Sequence, residues 1–149
     1  MKFEIIPFSH VGELFFGMER EIINTKILQD INFTTEENSD IDTGEKSTND
    51  FFANGIALGY ENQDFKLKYI LLMDGVKAIF ENQNLLEMNY IDCKNYLSQF
   101  DPNIEEEEYV GFTSYKLGIA IYAPDATDDP LSYIECVTVG AKGYFESER

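Results

Sequence analysis

"FFANGIALGYE" (residues 51–61), "FKLKYILLMD" (65–74) and "VKAIFE" (76–81) follow one another closely. Only Asn62-Gln63-Asp64 separates the first two, and Asp74-Gly75 turns the chain into the third. Short runs rich in Ile, Leu, Phe and Tyr, bounded by turn formers, have the composition of strands, and Asp-Gly is a strong short-range hairpin signal. The middle of the chain therefore predicts an antiparallel hairpin continued into a meander.

Upstream, "KFEIIPF" and "VGELFF" are short β-prone runs that end at Gly17. Met18, Ile22, Ile23, Ile27, Leu28 and Ile31 then recur at roughly helical intervals, with Glu19 and Glu21 in the first turn, where the positive end of a helix dipole favours acidic groups. This spacing predicts a helix over about 18–30. Residues 35–50, "TEENSDIDTGEKSTND", carry almost no apolar side chain and read as a mobile acidic loop.

Downstream, Tyr90, Cys93, Leu97 and Phe100 form one apolar stripe behind Asn89 as N-cap, so a second helix is expected over 89–100, stopped by Asp101-Pro102. The acidic run Glu105-Glu106-Glu107-Glu108 leads into "YVGFTSYKLGIAIYAP", the loop "DATDDP" and "LSYIECVTVGAKGYF", with a last strand near Gly143–Phe145. The order becomes β, α, β, β, β, α, β, β. It predicts an α+β fold: a mainly antiparallel twisted sheet with two helices on one face.

Two segments of the chain also look alike. "FGMEREIINTKIL" parallels "LEMNYIDCKNYL", "GIALGYE" parallels "GIAIYAP", and "KYILLM" parallels "SYIECV", always in that order. An internal duplication is one reading; chance likeness among short apolar strings is the other.

The chain has 149 residues, the size of one domain, 1–149, and 44% hydrophobic residues, too many for disorder. No run of 18 apolar residues suggests a membrane span, and Glu4 and Glu13 interrupt the N-terminal stretch where a signal peptide needs an apolar core, so a cytoplasmic protein is expected. Cys93 and Cys136 lack C-x-x-C spacing and sit in apolar segments, the pattern of buried reduced thiols.

A net charge of −17 opposes binding to nucleic acid and to anionic membrane, because both depend on Lys and Arg meeting phosphate. The same field speeds encounter with a basic protein. From Ala78 to Ala141 there are 12 acidic residues against only Lys94 and Lys116, and from Glu36 to Phe65 there are 8 against only Lys46. Tyr109, Phe112, Tyr115, Tyr122 and Tyr133 are interleaved with the first of these tracts and could anchor an interface that charge alone cannot hold. The expected partner-binding residues are Glu105, Glu106, Glu107, Glu108, Tyr109, Asp125, Asp128 and Asp129. The plainer alternative is that the charge serves solubility.

Catalytic and metal signals are thin. His10 is the only histidine, which removes His-paired zinc sites. Neither the glutamate run nor "DATDDP" has the spacing of a calcium loop, and no phosphate-cradling or nucleophile-elbow motif occurs. No cofactor, no metal and no enzymatic activity are expected.

At "GELFFGMEREII", Gly12, Phe16, Gly17, Met18 and Glu21 match a G-x-x-x-F-G-M-x-x-E opening. This stretch resembles that of the small lipoprotein of the outer-membrane barrel assembly machinery, over about a dozen residues and without a lipid-attachment cysteine, so only a local role follows: Gly17 permits a strand-to-helix turn and Met18 plugs the core. By type rather than by motif, a small acidic α+β chain without catalytic signature resembles bacterial toxin-immunity proteins. That resemblance implies stoichiometric occlusion of a basic, nuclease-type toxin domain; a small-ligand or cation-binding domain is the alternative.

Overall fold

A computed structural model describes residues 2–146. The fold is α+β with mostly antiparallel sheets. The first sheet contains β1 (Lys2–Ile6), β2 (His10–Val11), β3 (Leu14–Phe15), β8 (Lys77–Phe80) and β9 (Gln83–Asn84) in the order β3-β2-β1-β8-β9, with β1 and β8 parallel. The second contains β4 (Phe33–Ser39), β5 (Lys46–Phe52), β6 (Ile56–Glu61), β7 (Leu67–Met73), β10 (Glu105–Glu107), β11 (Gly111–Ser114), β12 (Ile119–Tyr122) and β13 (Cys136–Gly140). Its order is β10-β11-β12-β13-β7-β6-β5-β4, antiparallel throughout.

The hairpin expected over residues 51–74 is β6 paired with β7, and "VKAIFE" crosses to the other sheet as β8 instead of extending the meander. Period-two alternation divides the eight-stranded sheet into a core face and an open face. Ile70, Leu72, Phe112, Ile121, Val137 and Val139 belong to one hydrophobic cluster, which also takes in Phe3, Ile5, Val11 and Phe80 from the other sheet. Side chains between them in sequence, such as Leu71, Ala120 and Thr138, project the other way and are half-buried.

Further sequence expectations need correction. The acidic stretch 35–50 is a loop only over residues 40–45: on either side of that turn β4 and β5 pair over seven residues each, from Phe33 opposite Phe52 to Ser39 opposite Lys46. Every residue of β4 is exposed, so it forms on backbone hydrogen bonds and a Phe33–Phe52 ring contact at 5.0 Å, without the apolar pattern that marks a buried strand. The helix over 18–30 is shorter. α1 (Arg20–Ile22) passes directly into a π-helical turn, Ile23–Ile27, closed by the Leu28 amide donating to the Ile23 carbonyl at 2.9 Å. The β-branched run Ile22, Ile23, Thr25 and Ile27, with the Thr25 hydroxyl donating to the Glu21 carbonyl at 2.7 Å, loads this segment with features that weaken a regular helix. Residues 143–145 form turns instead of a last strand. "VGELFF" also divides, at Gly12-Glu13, into β2 and β3.

The second helix agrees closely with expectation. α2 (Tyr90–Ser98) starts behind Asn89, whose side-chain oxygen accepts the Asp92 amide at 2.8 Å, and buries Tyr90, Cys93 and Leu97. Gly17 adopts φ +90°, the turn that admits α1. His10 stacks on Phe15 at 4.3 Å with Nδ1 3.0 Å from the Gly12 carbonyl oxygen, a local structural role.

Asp50 on β5 is fully buried and is bridged by Arg20, whose Nε and Nη2 donate at 2.8 and 2.9 Å; Thr35 and Asn24 donate to the same carboxylate. Desolvation pushes the Asp50 pKa up, but the hydrogen bonds from Arg20, Thr35 and Asn24 and the guanidinium charge outweigh it and hold it below the usual carboxylate range. A depressed carboxylate pKa stabilises the fold above its unfolded value, and this contribution is lost as pH falls through the folded value. Asp50→Ala should therefore cost on the order of 3 kcal/mol at pH 7, since it strands Arg20. Its deficit against wild type in denaturant titrations should shrink below about pH 4. A deficit unchanged at pH 3 would contradict this assignment.

Both cysteines are free and buried. Burial pushes the Cys93 thiol up to about 12 and raises that of Cys136 as well. Both should label slowly with a thiol reagent in native buffer and quickly in denaturant, as followed by mass spectrometry.

Candidate functional site

Two acidic segments separated in sequence meet at one end of the eight-stranded sheet. β10 forms the sheet edge, and after β12 the chain enters a 3-10 turn, Pro124–Thr127, that carries Asp125 and is followed by Asp128 and Asp129. The backbone amide of Tyr109 donates to Thr127 Oγ1 at 2.7 Å, the Ala123 amide donates to the Val110 carbonyl at 2.7 Å, and the Tyr109 hydroxyl lies 3.5 Å from Asp128 Oδ1. All eight sequence-expected residues are exposed and belong to these two segments.

Alternation along β10 gives the glutamates different surroundings. Glu106 lies opposite Phe112 on the core face, where it accepts from Lys94 Nζ at 2.5 Å and from the Tyr90 hydroxyl at 2.7 Å. Those contacts, Lys94 first, hold its pKa below the usual carboxylate range. Burial first, then the bond to Glu106, raises that of the Tyr90 phenol. Glu106 is thus engaged within the protein. Glu105 and Glu107 lie opposite Thr113 and Gly111 and project from the open face. Between β10, α2 and the 3-10 turn runs a groove of about 390 Å³, lined by Tyr90, Lys94, Glu106, Glu108, Thr127 and Pro130 among others.

The residues that sequence reasoning missed are Tyr90 and Lys94, which tie the acidic edge to α2. The signal was available: a basic residue one helical turn after an N-terminal tyrosine, in a lysine-poor region. Of the interleaved aromatics, Phe112 is buried at 2% exposure and belongs to the core, whereas Tyr109, Tyr122 and Tyr133 are exposed. A second groove, about 800 Å³, lies beside the β4–β5 turn, with Asp40, Lys46, Glu61, Lys68, Tyr69 and Tyr144 in its wall. Among the described residues, no three His, Cys, Asp or Glu side chains are grouped as a metal ion requires, and no helix is long and apolar enough to cross a membrane.

Tyr109 holds φ +60°, a left-handed conformation costly for an aromatic residue. Two residues later Gly111 holds φ +148°, and a Cβ there would come within 1.9 Å of the Ile121 carbonyl oxygen. No protein-family model, curated protein or solved structure matches the chain.

The turn geometry leads to a paired expectation. Tyr109→Gly should leave stability unchanged or raise it by up to about 1 kcal/mol, because glycine accepts this conformation. Gly111→Ala should destabilise by more than about 2 kcal/mol and detach β10, visible as faster amide exchange over 105–107. A stabilising Gly111→Ala would refute the steric account.

Proposed function

We propose that the chain is an acidic binding protein of the immunity or inhibitor class, which occludes the active site of a basic, nuclease-type toxin domain. The observation that carries this reading is the joining of the acidic segments 105–108 and 125–129 at the exposed, left-handed Tyr109, whose amide donates to Thr127 Oγ1 and whose hydroxyl lies 3.5 Å from Asp128 Oδ1. Lys94, the cation beside them in the groove, is already bound to Glu106. A strained residue persists only where its surroundings over-determine it, and such positions cluster at functional sites. The role is binding, not catalysis; a cytoplasmic location fits it, and nucleic acid and membranes are not its partners.

The architecture is read the same way. One continuous hydrophobic cluster supports a single domain, 1–149. Contacts of Arg20 with Asp50 and of Tyr90 with Phe112 support both helices lying on the core face. Each half supplies a helix followed by four antiparallel strands, β4–β7 and β10–β13, which favours the duplication over chance likeness. The groove beside the β4–β5 turn favours a second reading, small-ligand or cation binding, which would show as a thermal shift with a metal ion or metabolite at fixed ionic strength.

Affinity capture from the source cells should recover a basic protein whose yield falls as salt rises from about 0.05 to 0.5 M. With that protein, Glu107→Lys combined with Glu108→Lys should slow association and flatten its salt dependence. Tyr109→Ala should speed dissociation about tenfold. Recovery of no basic protein, together with normal growth of a strain lacking this gene beside its siblings, would defeat the reading.

A further inference from the structure

Register across the eight-stranded sheet draws one unbroken row over its open face. Thr113, Ala120, Thr138, Leu71, Ala57 and Phe51 are successive cross-strand partners. Glu105 continues the row onto the β10 edge and Thr34 onto the β4 edge. Four of those six side chains are Thr or Ala, so the row is a shallow trough. The neighbouring rows raise its walls: Tyr122, paired with Cys136 and then Met73, on one side, and Tyr69 on the other. Tyr122 is 46% exposed, and Leu71, Thr113, Ala120 and Thr138 are half-buried outside the hydrophobic cluster.

Charge at the paired positions of this face is negative: Glu105 and Glu107 stand at one edge and Glu36 at the other, while Lys68, in the bulge beside Tyr69, is already bridged to Asp64 at 3.5 Å. Seven gaps of about 4.8 Å make the row about 34 Å long, and with the Tyr122 row about 7 Å beside it the face comes to roughly 500 Å², somewhat under one partner's share of a standard protein interface. The row on the Tyr69 side is covered, Gly59 by the Tyr69 ring and Gly140 by Tyr144 and Phe145.

The geometry points to this open face as the docking surface for a cationic protein segment, with Lys or Arg side chains on the glutamate rims and an apolar side chain seated in the trough between Tyr122 and Tyr69. The inference rests on the proposed binding function and moves its centre from the sheet edge to the sheet face. A second copy of this chain is the poorer occupant, because two bodies of charge −17 would bring glutamate rims together. Tyr122 suits the anchor, being rigid, amphipathic and already exposed.

The probe is a displayed library of random 15-residue peptides selected on the wild-type chain at low salt. The test variants are Tyr122→Ala and Thr138→Arg, each first checked for wild-type circular dichroism and melting; Glu108→Lys is the edge control. The expected result is enrichment of Lys- or Arg-rich peptides carrying an apolar residue. Their affinity should fall about tenfold or more on at least one folded face variant and less on the control. Basic peptides that bind both face variants as well as wild type, and lose affinity only on Glu108→Lys, would overturn the face while leaving the binding function in place. Enrichment of neutral or acidic peptides, or of none, would overturn the cationic occupant itself. A concentration-dependent dimer in sedimentation that Tyr122→Ala dissolves would overturn it in favour of a second copy.

Discussion

The antiparallel pairing of β7 with β13 is the contact on which the rest of the molecule depends. Five residue pairs, from Cys136 opposite Met73 to Gly140 opposite Tyr69, join the strands that end two four-stranded meanders. On the core face this ladder brings Ile70 against Val139 and Leu72 against Val137, all fully buried. Without it each meander would carry an unpaired apolar edge, and the trough on the open face would be cut at Thr138–Leu71. Buried cross-strand pairs of this kind are the unit of sheet stabilisation, and a one-residue slip would exchange the core and open faces outright.

Two buried polar pairs orient elements. Arg20 and Asp50 link the short α1 to β5, and Asp101 accepts the buried Ser114 hydroxyl at 2.7 Å, fixing the chain after α2 to β11. Each satisfies a group whose isolated burial would cost more than the pair returns. These bonds specify where the helices attach; apolar burial between the two sheets supplies the driving force.

What the sequence made legible follows from which physics leaves a trace in residue type. The β6–β7 hairpin and α2 were readable because burial selects Ile, Leu and Tyr at characteristic spacings, and because Asn89 is a capping residue that caps. The β4–β5 hairpin was not, since a strand exposed along its whole length needs no apolar pattern, and "TTEENS" reads as loop by composition. α1 was over-extended because Met18, Ile23, Ile27 and Leu28 do pack inward, while the π-turn that places them depends on tertiary contact, including the Arg20 amide donating to Phe65 at 2.9 Å. At the candidate site, sequence located the acidic segments but not their nearness. It also could not separate Glu106, turned to Lys94 and Tyr90, from Glu105 and Glu107, because that division depends on the register of a three-residue edge strand.

That register carries a further consequence. The two edges of the large sheet are β4 and β10, and both are acidic: Glu36 and Glu37 on one, Glu105 to Glu107 on the other. An edge strand offers unpaired backbone groups to any passing strand, and charge is a standard guard against such pairing. Solubility and recognition are therefore not rival explanations of the same carboxylates. Glutamates along both edges repel another copy of this chain, and on a cationic surface the same groups attract. On the binding function proposed above, a cationic partner would meet edges already bristling with side chains but a sheet face rich in Thr and Ala, where close approach costs little, so the guard on the edges would itself direct contact toward the face.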